Sequence, residues 1–503
     1  MLQSTPVTSP PPSSTWRRLV GSPAVPVAIV VAFAGLVAAT ISRFSSWIDE
    51  SASLLLVGPN DYAEIAGRIS YDVHPPLWYF ILKTWFHVFG VSILASRSLS
   101  AVCMIAACGV WYHLIRTRFS RPVALLTLAL MVTNPSVLHY AVEGRMYAFG
   151  VLLIAVSCLL ITGHWRWRWF AYWPCAVAML YTHYFLAFPL IAQFLYLTLR
   201  RREQGISLLW ILLYGVSVCV GYAPWVPYAL RQTTMVVTQG FWIGPVTPSA
   251  VLNYILLAFL YRGDGNLASV RVFPGVLYLV MWVAALTGIG RVARDGRGPY
   301  MLLGLIVGVP WFCLFLVSCV RPVFDPRYVL FGLPALISLL ASGALALTGR
   351  WKPVTISVLL LGHFWAVKEL RYRGFSETRG FFTMKKIAKE VSQPVDGELP
   401  WIVATWPYGF YDARATLASE QNVKLLLGAK PAILNTDTMV YYNHPEWVAL
   451  SLSEVHARYV WVISPGTTPP IEVPSNWTQV IGNRRGYADT RLYSIGALDE
   501  GLP

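Results

Sequence analysis

The sequence predicts a polytopic α-helical membrane protein of about eleven transmembrane helices, followed by a small extracytoplasmic α/β domain. Three observations carry this prediction. The 503 residues are 56% hydrophobic, with a mean hydropathy of +0.54. Only 13% are charged, about half the share of an ordinary soluble protein. The positive charge is gathered in short connections that fall on one side of the predicted helices.

The apolar residues form blocks at 24–41, 98–115, 122–138, 147–162, 169–181, 184–199, 208–230, 272–289, 300–320, 329–347 and 354–367, all free of Asp, Glu, Lys and Arg. The first is long enough to cross a hydrocarbon core roughly 30 Å thick, and the others are similar. Lipid offers the backbone no partner, so a span that is not part of a barrel is a helix. Two further segments, 75–89 with Lys83 and His87, and 250–261, which is short, read as interfacial helices lying along the membrane. Residues 1–19 read as a disordered cytoplasmic tail, rich in Pro, Ser and Thr up to residue 15. Arg17-Arg18 before the first block marks an uncleaved anchor rather than a signal peptide, because no small-residue cleavage site follows.

The net charge of +15 would suit a nucleic-acid partner, but its placement excludes that class. After Tyr372 there are 12 Lys and Arg against 13 Asp and Glu, so the excess belongs to the membrane part. It sits at Arg17-Arg18, Arg116 to Arg121, Arg166 and Arg168, Arg200 to Arg202, Arg291 to Arg297, and Arg350 with Lys352. With eleven helices all of these lie on the side of the N-terminus, which is therefore cytoplasmic, and the C-terminal region is outside. The seven cysteines all fall inside predicted helices, so no disulfide framework is implied.

The membrane domain spans 20–371 and the exported domain 372–503. In the latter, Met384 to Val391 reads as an amphipathic helix. Residues 401–405, 439–442, 459–463 and 491–495 read as strands, with 413–427 helical between two of them. Alternating strand and helix predict a partly parallel sheet. Asn476-Trp477-Thr478 matches a glycosylation sequon, a pattern common by chance.

The polar groups that need a reason lie in the outer loops, not mid-helix, which favours chemistry at the outer interface over conduction. In the first loop, Asp49 and Glu50 adjoin the membrane. One of them can act as a general base toward an acceptor hydroxyl; the plainer alternative is a solvated charge and a helix cap. In the second loop, Glu143 and Arg145 flank a helix start at Tyr147. Arg145 can grip phosphate through its planar donor fork, or close the helix end as a local ion pair. His183 follows in the third loop, where it can bind a metal, orient a base, touch phosphate or simply be a satisfied polar group. In the fourth, Arg327 and Tyr328 precede a helix, with Arg327 a second phosphate clamp or a headgroup anchor. Acids and cations drawn from separate helices suit transfer from a phosphate-linked donor, the cations steadying the departing phosphate.

Asp49-Glu50, His74-Pro75-Pro76-Leu77-Trp78-Tyr79, Phe89-Gly90-Val91-Ser92 and Arg97 together resemble the first-loop signature of GT-C glycosyltransferases. More narrowly the chain is similar to the dolichyl-phosphate-mannose protein mannosyltransferase-like group, which includes bacterial lipid A aminoarabinose transferases. Glu143-Gly144-Arg145-Met146-Tyr147, His183-Tyr184 and Arg327-Tyr328 match that group's later motifs in order, and the resemblance covers roughly residues 20–370. It implies an inverting transfer from a polyprenyl-phosphate sugar with no nucleotide donor. It implies that Asp49, with Glu50 beside it, supplies the catalytic carboxylate, and that the first-loop helices wall the cavity. It further implies that Arg145, Arg327 and His74 hold the carrier phosphate, His74 standing where some relatives have Lys. Glu143, His183, Tyr328 and Tyr147 are the other expected cavity residues. Some members bind a metal near the cavity, so a divalent metal is an open expectation with no ligands assigned. The acceptor is a protein, lipid or glycan. The competing reading is a transporter or flippase of lipid-linked saccharides, which predicts internal repeats and broken, charged helices at the membrane midplane; neither is visible. A scaffold that presents the exported domain leaves the outer acids and cations without a purpose.

Overall fold

Each of the eleven apolar blocks is helical in a computed structural model of the chain. The described residues are 21–43, 46, 48–70, 72–239, 247, 272–293, 297–377 and 384–495, the last range with breaks at 406–409, 411–412, 415–416, 418–421, 428–447, 466–470 and 486–487. The expected interfacial helix at 250–261 and strand at 439–442 lie outside the described residues.

Among the described residues, three helices are long and apolar enough to cross a membrane by length and composition: Ile93–Arg118, Leu208–Thr234 and Gly298–Val320. The 122–138 block is not one straight span. It breaks into Arg121–Val132 and Pro135–Ala141, bent by 63°. The cause is local. Pro135 has no N–H for the preceding turn, and the Asn134 side chain accepts from the Ser136 and Val137 amides, starting a new helix. The 208–230 block continues past a 3-10 turn at Ala223–Trp225 into Val226–Gln239.

The first long loop folds as three helices. Ile48–Val57 carries Asp49 and Glu50 in its first turn. Tyr62–Ile69 opens with a capping box between Asp61 and Glu64. Leu77–Phe89 fills most of the segment expected to lie along the interface, and ends at Gly90, whose φ of 77° favours glycine. Lys83 in this third helix has a defined role. Its Nζ donates to the carbonyls of Val57 and Gly58 at 3.3 and 3.1 Å, closing the C-terminal end of the Ile48–Val57 helix, while Asn60 Nδ2 donates to Leu56 O at 2.7 Å.

A single hydrophobic cluster runs through the helical part from Phe33 to Val367. A close crossing joins Val272–Val292 to Leu333–Ala346 through small residues. A Cβ on Gly343 would stand 1.7 Å from the Ala285 carbonyl oxygen, and one on Gly288 would stand 2.4 Å from that of Gly343.

The C-terminal region forms a six-stranded sheet in the order β3-β2-β1-β4-β6-β5: β1 Trp401–Ala404, β2 Val423–Leu426, β3 Val448–Ala449, β4 Tyr459–Pro465, β5 Trp477–Arg485 and β6 Ala488–Ile495. The first four in that order pair in parallel, and β6 and β5 close the sheet antiparallel. The expectation of a helix over 413–427 is wrong at its end. Val423 to Leu426 are a strand, with Val423 and Leu425 buried and paired in register with Ile402 and Ala404. The amphipathic helix Met384–Val391 buries Ile387 and Val391 against this sheet. Asn476 lies at the turn into β5, with Trp477 and Thr478 already in the strand.

Gly343→Val is expected to destabilise the helix pair by about 1–3 kcal/mol or more, as overpacking against backbone does; a lower thermal midpoint of the detergent-purified protein is the check.

Candidate active site

The geometry begins with the period of the Ile48–Val57 helix. Residues four apart share a face, and Ser53 Oγ donates to Asp49 O at 2.7 Å. Arg145, buried between Gly144 and the Tyr147–Thr162 helix, donates from Nη1 to Asp49 O at 3.2 Å and to Ser53 Oγ. Its other end lies 3.4 Å (Nη2) from His74 Nδ1, and its plane faces the Tyr79 ring. Its Nε has no hydrogen-bond partner among the described residues.

The Asp49 carboxylate is the exposed member of the set, its side chain 30% accessible against 12% for Arg327. Asp49 Oδ2 stands 3.4 Å from Arg327 Nη1, which also reaches Tyr147 OH at 3.4 Å. Arg327 is aimed by its neighbour two residues back: Asp325 Oδ1 accepts from the Arg327 amide at 3.0 Å and from Nε at 2.9 Å. This Asp caps the short Pro326–Val329 helix.

Glu50 points elsewhere. Its carboxylate accepts from Arg97 Nε and Nη2 at 2.8 and 2.7 Å and from the Gly144 amide at 2.7 Å, and it is 1% exposed. Arg97 also donates to Ile41 O at 2.9 Å. Gly144 is pressed against Ser96, whose Oγ donates to its carbonyl at 3.0 Å; a Cβ there would stand 2.4 Å from that oxygen. Glu143 turns to His139, four residues back, with Nε2 to Oε2 at 2.8 Å.

Asp72, Tyr79 and His74 form the second polar knot. Tyr79 OH donates to Asp72 Oδ2, and His74 Nδ1 stands 3.4 Å from Asp72 Oδ1. Burial alone would raise the Asp72 carboxyl. His74, Arg145 and the Tyr79 hydroxyl outweigh it and hold the group well below the usual carboxylate range. His183 behaves oppositely. Burial, then the charges of His74, Arg145 and Arg327, keep it neutral far below its ordinary range. Its Nδ1 accepts from the Phe185 amide at 3.1 Å, so the proton resides on Nε2, which is buried and without a partner among the described residues. The rings of His74, Tyr147, Tyr328 and Phe331 surround it at centroid distances of 5.3–5.9 Å.

Beside these groups lies a cavity of about 570 Å³, largely apolar, with Phe185, Val317, Val320 and Val323 among its walls. His74, His183, Gln232, Arg321 and Tyr328 supply its polar lining. The structure thus brings Asp49, Arg145, Arg327, His74, His183, Tyr147 and Tyr328 together, while Glu50 and Glu143 are engaged by Arg97 and His139. Residues given no role from sequence also take part. Ser53 needed only its place one turn beyond Asp49, and Asp325 its spacing from Arg327. Arg97 and Tyr79 sat unassigned within the quoted motif. Gln232, whose Nε2 donates to Ile69 O at 2.7 Å, carried no sequence signal. Among the described residues no group of three or more His, Cys, Asp or Glu side chains is arranged to hold a metal ion.

Removing one partner of a buried pair leaves the other charge uncompensated, so Arg97→Ala is expected to cost about 3–5 kcal/mol, read as a lower denaturation midpoint. For Asp72 the folded value is depressed, so its contribution to stability is complete above about pH 4 and is lost as pH falls through the folded value. The gap in Tm between the native protein and Asp72→Asn is therefore widest above that pH and closes in acid.

The family described as dolichyl-phosphate-mannose-protein mannosyltransferase matches residues 73–228. No curated protein sequence matches the chain. ArnT from Cupriavidus metallidurans in the apo state matches over 93% of this chain and 97% of its own, with a TM-score of 0.59 at 13% identity. The same protein bound to undecaprenyl phosphate covers 95% of this chain and 98% of its own, with a TM-score of 0.60 at 13% identity. The fold is that of ArnT, and residues 73–228 within it are similar to the dolichyl-phosphate-mannose-protein mannosyltransferase family.

Proposed function

We propose that the protein transfers one sugar, with inversion, from a polyprenyl-phosphate carrier to an acceptor on the extracytoplasmic side of the membrane, with Asp49 as general base. The observation that carries this reading is the placing of Asp49. It is a partly exposed carboxylate 3.4 Å from Arg327, on a helix gripped by Arg145, and Arg145 is 3.4 Å from a histidine that lines an apolar cavity. A lipid chain suits that cavity, and the phosphate suits its basic neighbours. That ArnT binds undecaprenyl phosphate on the same fold favours the same class of carrier here.

The chemistry follows from the charges. Asp49 takes the proton of an acceptor hydroxyl, whose oxygen attacks the anomeric carbon from the face opposite the phosphate. The bond from that carbon to the phosphate oxygen breaks and its electron pair stays on the oxygen. Arg145, Arg327 and His74 stabilise the charge that develops there. Tyr147 and Tyr328, with neutral His183, wall the space and exclude water. In this reading Glu50 orients the helix and takes no proton, because Arg97 and the Gly144 amide occupy its oxygens.

The test is transfer by purified protein in detergent, with a panel of polyprenyl-phosphate sugars, a membrane extract as acceptor and Asp49→Asn in parallel. Loss of a general base is expected to slow transfer roughly a hundredfold to ten-thousandfold, with the variant still folded and donor KM little changed. Normal turnover by Asp49→Asn would remove Asp49 from the mechanism. If folded native protein transfers from no donor, the flippase reading gains, and movement of labelled carrier across reconstituted vesicles without chemical change would establish it.

A further inference from the structure

The Ile48–Val57 helix is held on one side by the membrane domain. Glu50 is clamped by Arg97 and the Gly144 amide, and the C-terminal carbonyls are closed by Lys83. Among the positions of this helix with described exposure, Glu50, Ser51, Ser53, Leu54, Leu56 and Val57 are buried, and Asp49, Ala52 and Leu55 are not. Those three are spaced three apart, so they form one continuous stripe. At 3.6 residues per turn, Ala52 and Leu55 lie roughly opposite Glu50.

The stripe is covered by the C-terminal domain. Ala52 and Leu55 pack against that domain's own core, the cluster that includes Ile387, Val391, Phe410 and Trp461. Leu55 also packs against the membrane-domain core, and it is the one described residue common to both. The helix that carries Asp49 is thus pressed between two domains, and Asp49 occupies the end of the seam.

We infer that the C-terminal domain is a working part of the transfer site: through Leu55 and Ala52 it clamps the Ile48–Val57 helix and fixes the direction of the Asp49 carboxylate. The inference rests on the reading of Asp49 as the base. Leu55 touches no reacting atom and is a positioning residue. The polar braces, Arg97 and Gly144 on Glu50, Arg145 on Ser53 and the Asp49 carbonyl, and Lys83 at the far end, all grip the helix from its buried side and leave it able to tilt away from them. An apolar contact on the opposite face removes that freedom. Tilting of the helix swings Asp49 relative to Arg327, while the contacts of Arg145 to Tyr79 and His74, which belong to other segments, stay in place. The step affected is proton removal from the acceptor, with donor binding unchanged.

The experiment compares full-length native protein, Leu55→Ala and Leu55→Met by steady-state transfer and by hydrogen exchange of residues 48–57. With Leu55→Ala, kcat is expected to fall by about tenfold to a hundredfold, the scale of loss from misplacement of about 1 Å, with donor KM within about twofold. Amide exchange in 48–57 is expected to rise while that of Tyr147–Thr162 stays unchanged. Leu55→Met, which restores volume, is expected to return both readouts toward native values. Native kcat and native exchange in Leu55→Ala would overturn the inference, as would a KM rise without a fall in kcat. Should Leu55→Ala fail to fold, Ala52→Leu overpacks the same seam and is read in the same way. Should the native protein transfer nothing, the transferase reading falls alone, and exchange in 48–57 still decides whether the domain clamps the helix.

Discussion

The contact between Glu50 and Arg97 is the constraint on which the site depends. Both side chains are almost entirely withdrawn from water, which costs several kcal/mol per ion unless each finds full compensation. Glu50 finds it in two guanidinium nitrogens and one amide, and Arg97 in the carboxylate and the Ile41 carbonyl. So many directed bonds set which face of the Ile48–Val57 helix turns toward the membrane domain. With Glu50 fixed, Asp49 faces Arg327 and Ser53 faces Arg145. Two adjacent carboxylates therefore do different work because a helix sends consecutive side chains about 100° apart.

The second loop is locked by the same device. Gly144 lends its amide to Glu50 and its carbonyl to Ser96, and Ser100 Oγ donates to Arg145 O at 3.0 Å. The backbone on either side of Arg145 is thereby pinned to the Ile93–Arg118 helix before its guanidinium reaches the site. Preorganised donors of this kind lose nothing to reorganisation when charge develops on a bound phosphate.

The helices were readable because lipid leaves few alternatives. Tyr147–Thr162 was bounded to the residue, and the break in the 122–138 block is written in Asn134-Pro135. The charged loops also named most of the groups that converge, since an acid or a cation held at a membrane surface needs a reason to be there. Sequence could not say which of the two acids faces Arg327. That depended on Arg97 lying 47 residues away and reaching Glu50 rather than Asp49, a matter of how helices pack. Gln232 was hidden for the same reason, as its partner carbonyl at Ile69 is 163 residues distant. In the C-terminal domain, Val423 to Leu426 follows a stretch with helical spacing, and a short apolar run does not distinguish strand from helix. The β5 strand was missed because it is an edge, with Val480 and Ile481 outward and Asn483 to Arg485 polar.

The cavity's walls carry one more consequence. Val320 lines it and is 88% exposed, and Val317 beside it is 38% exposed, on a helix whose outer face is apolar. The neighbouring wall, which supplies Gln232 and Thr233, belongs to a helix equally bare of protein cover on its far side. The cavity is therefore flanked by exposed apolar helix faces of the kind a bilayer covers, and a lipid-borne donor of the class proposed above can enter between them. A molecule that arrives this way is already dissolved in the membrane and searches in two dimensions. Its effective concentration is a mole fraction of lipid, set by the leaflet.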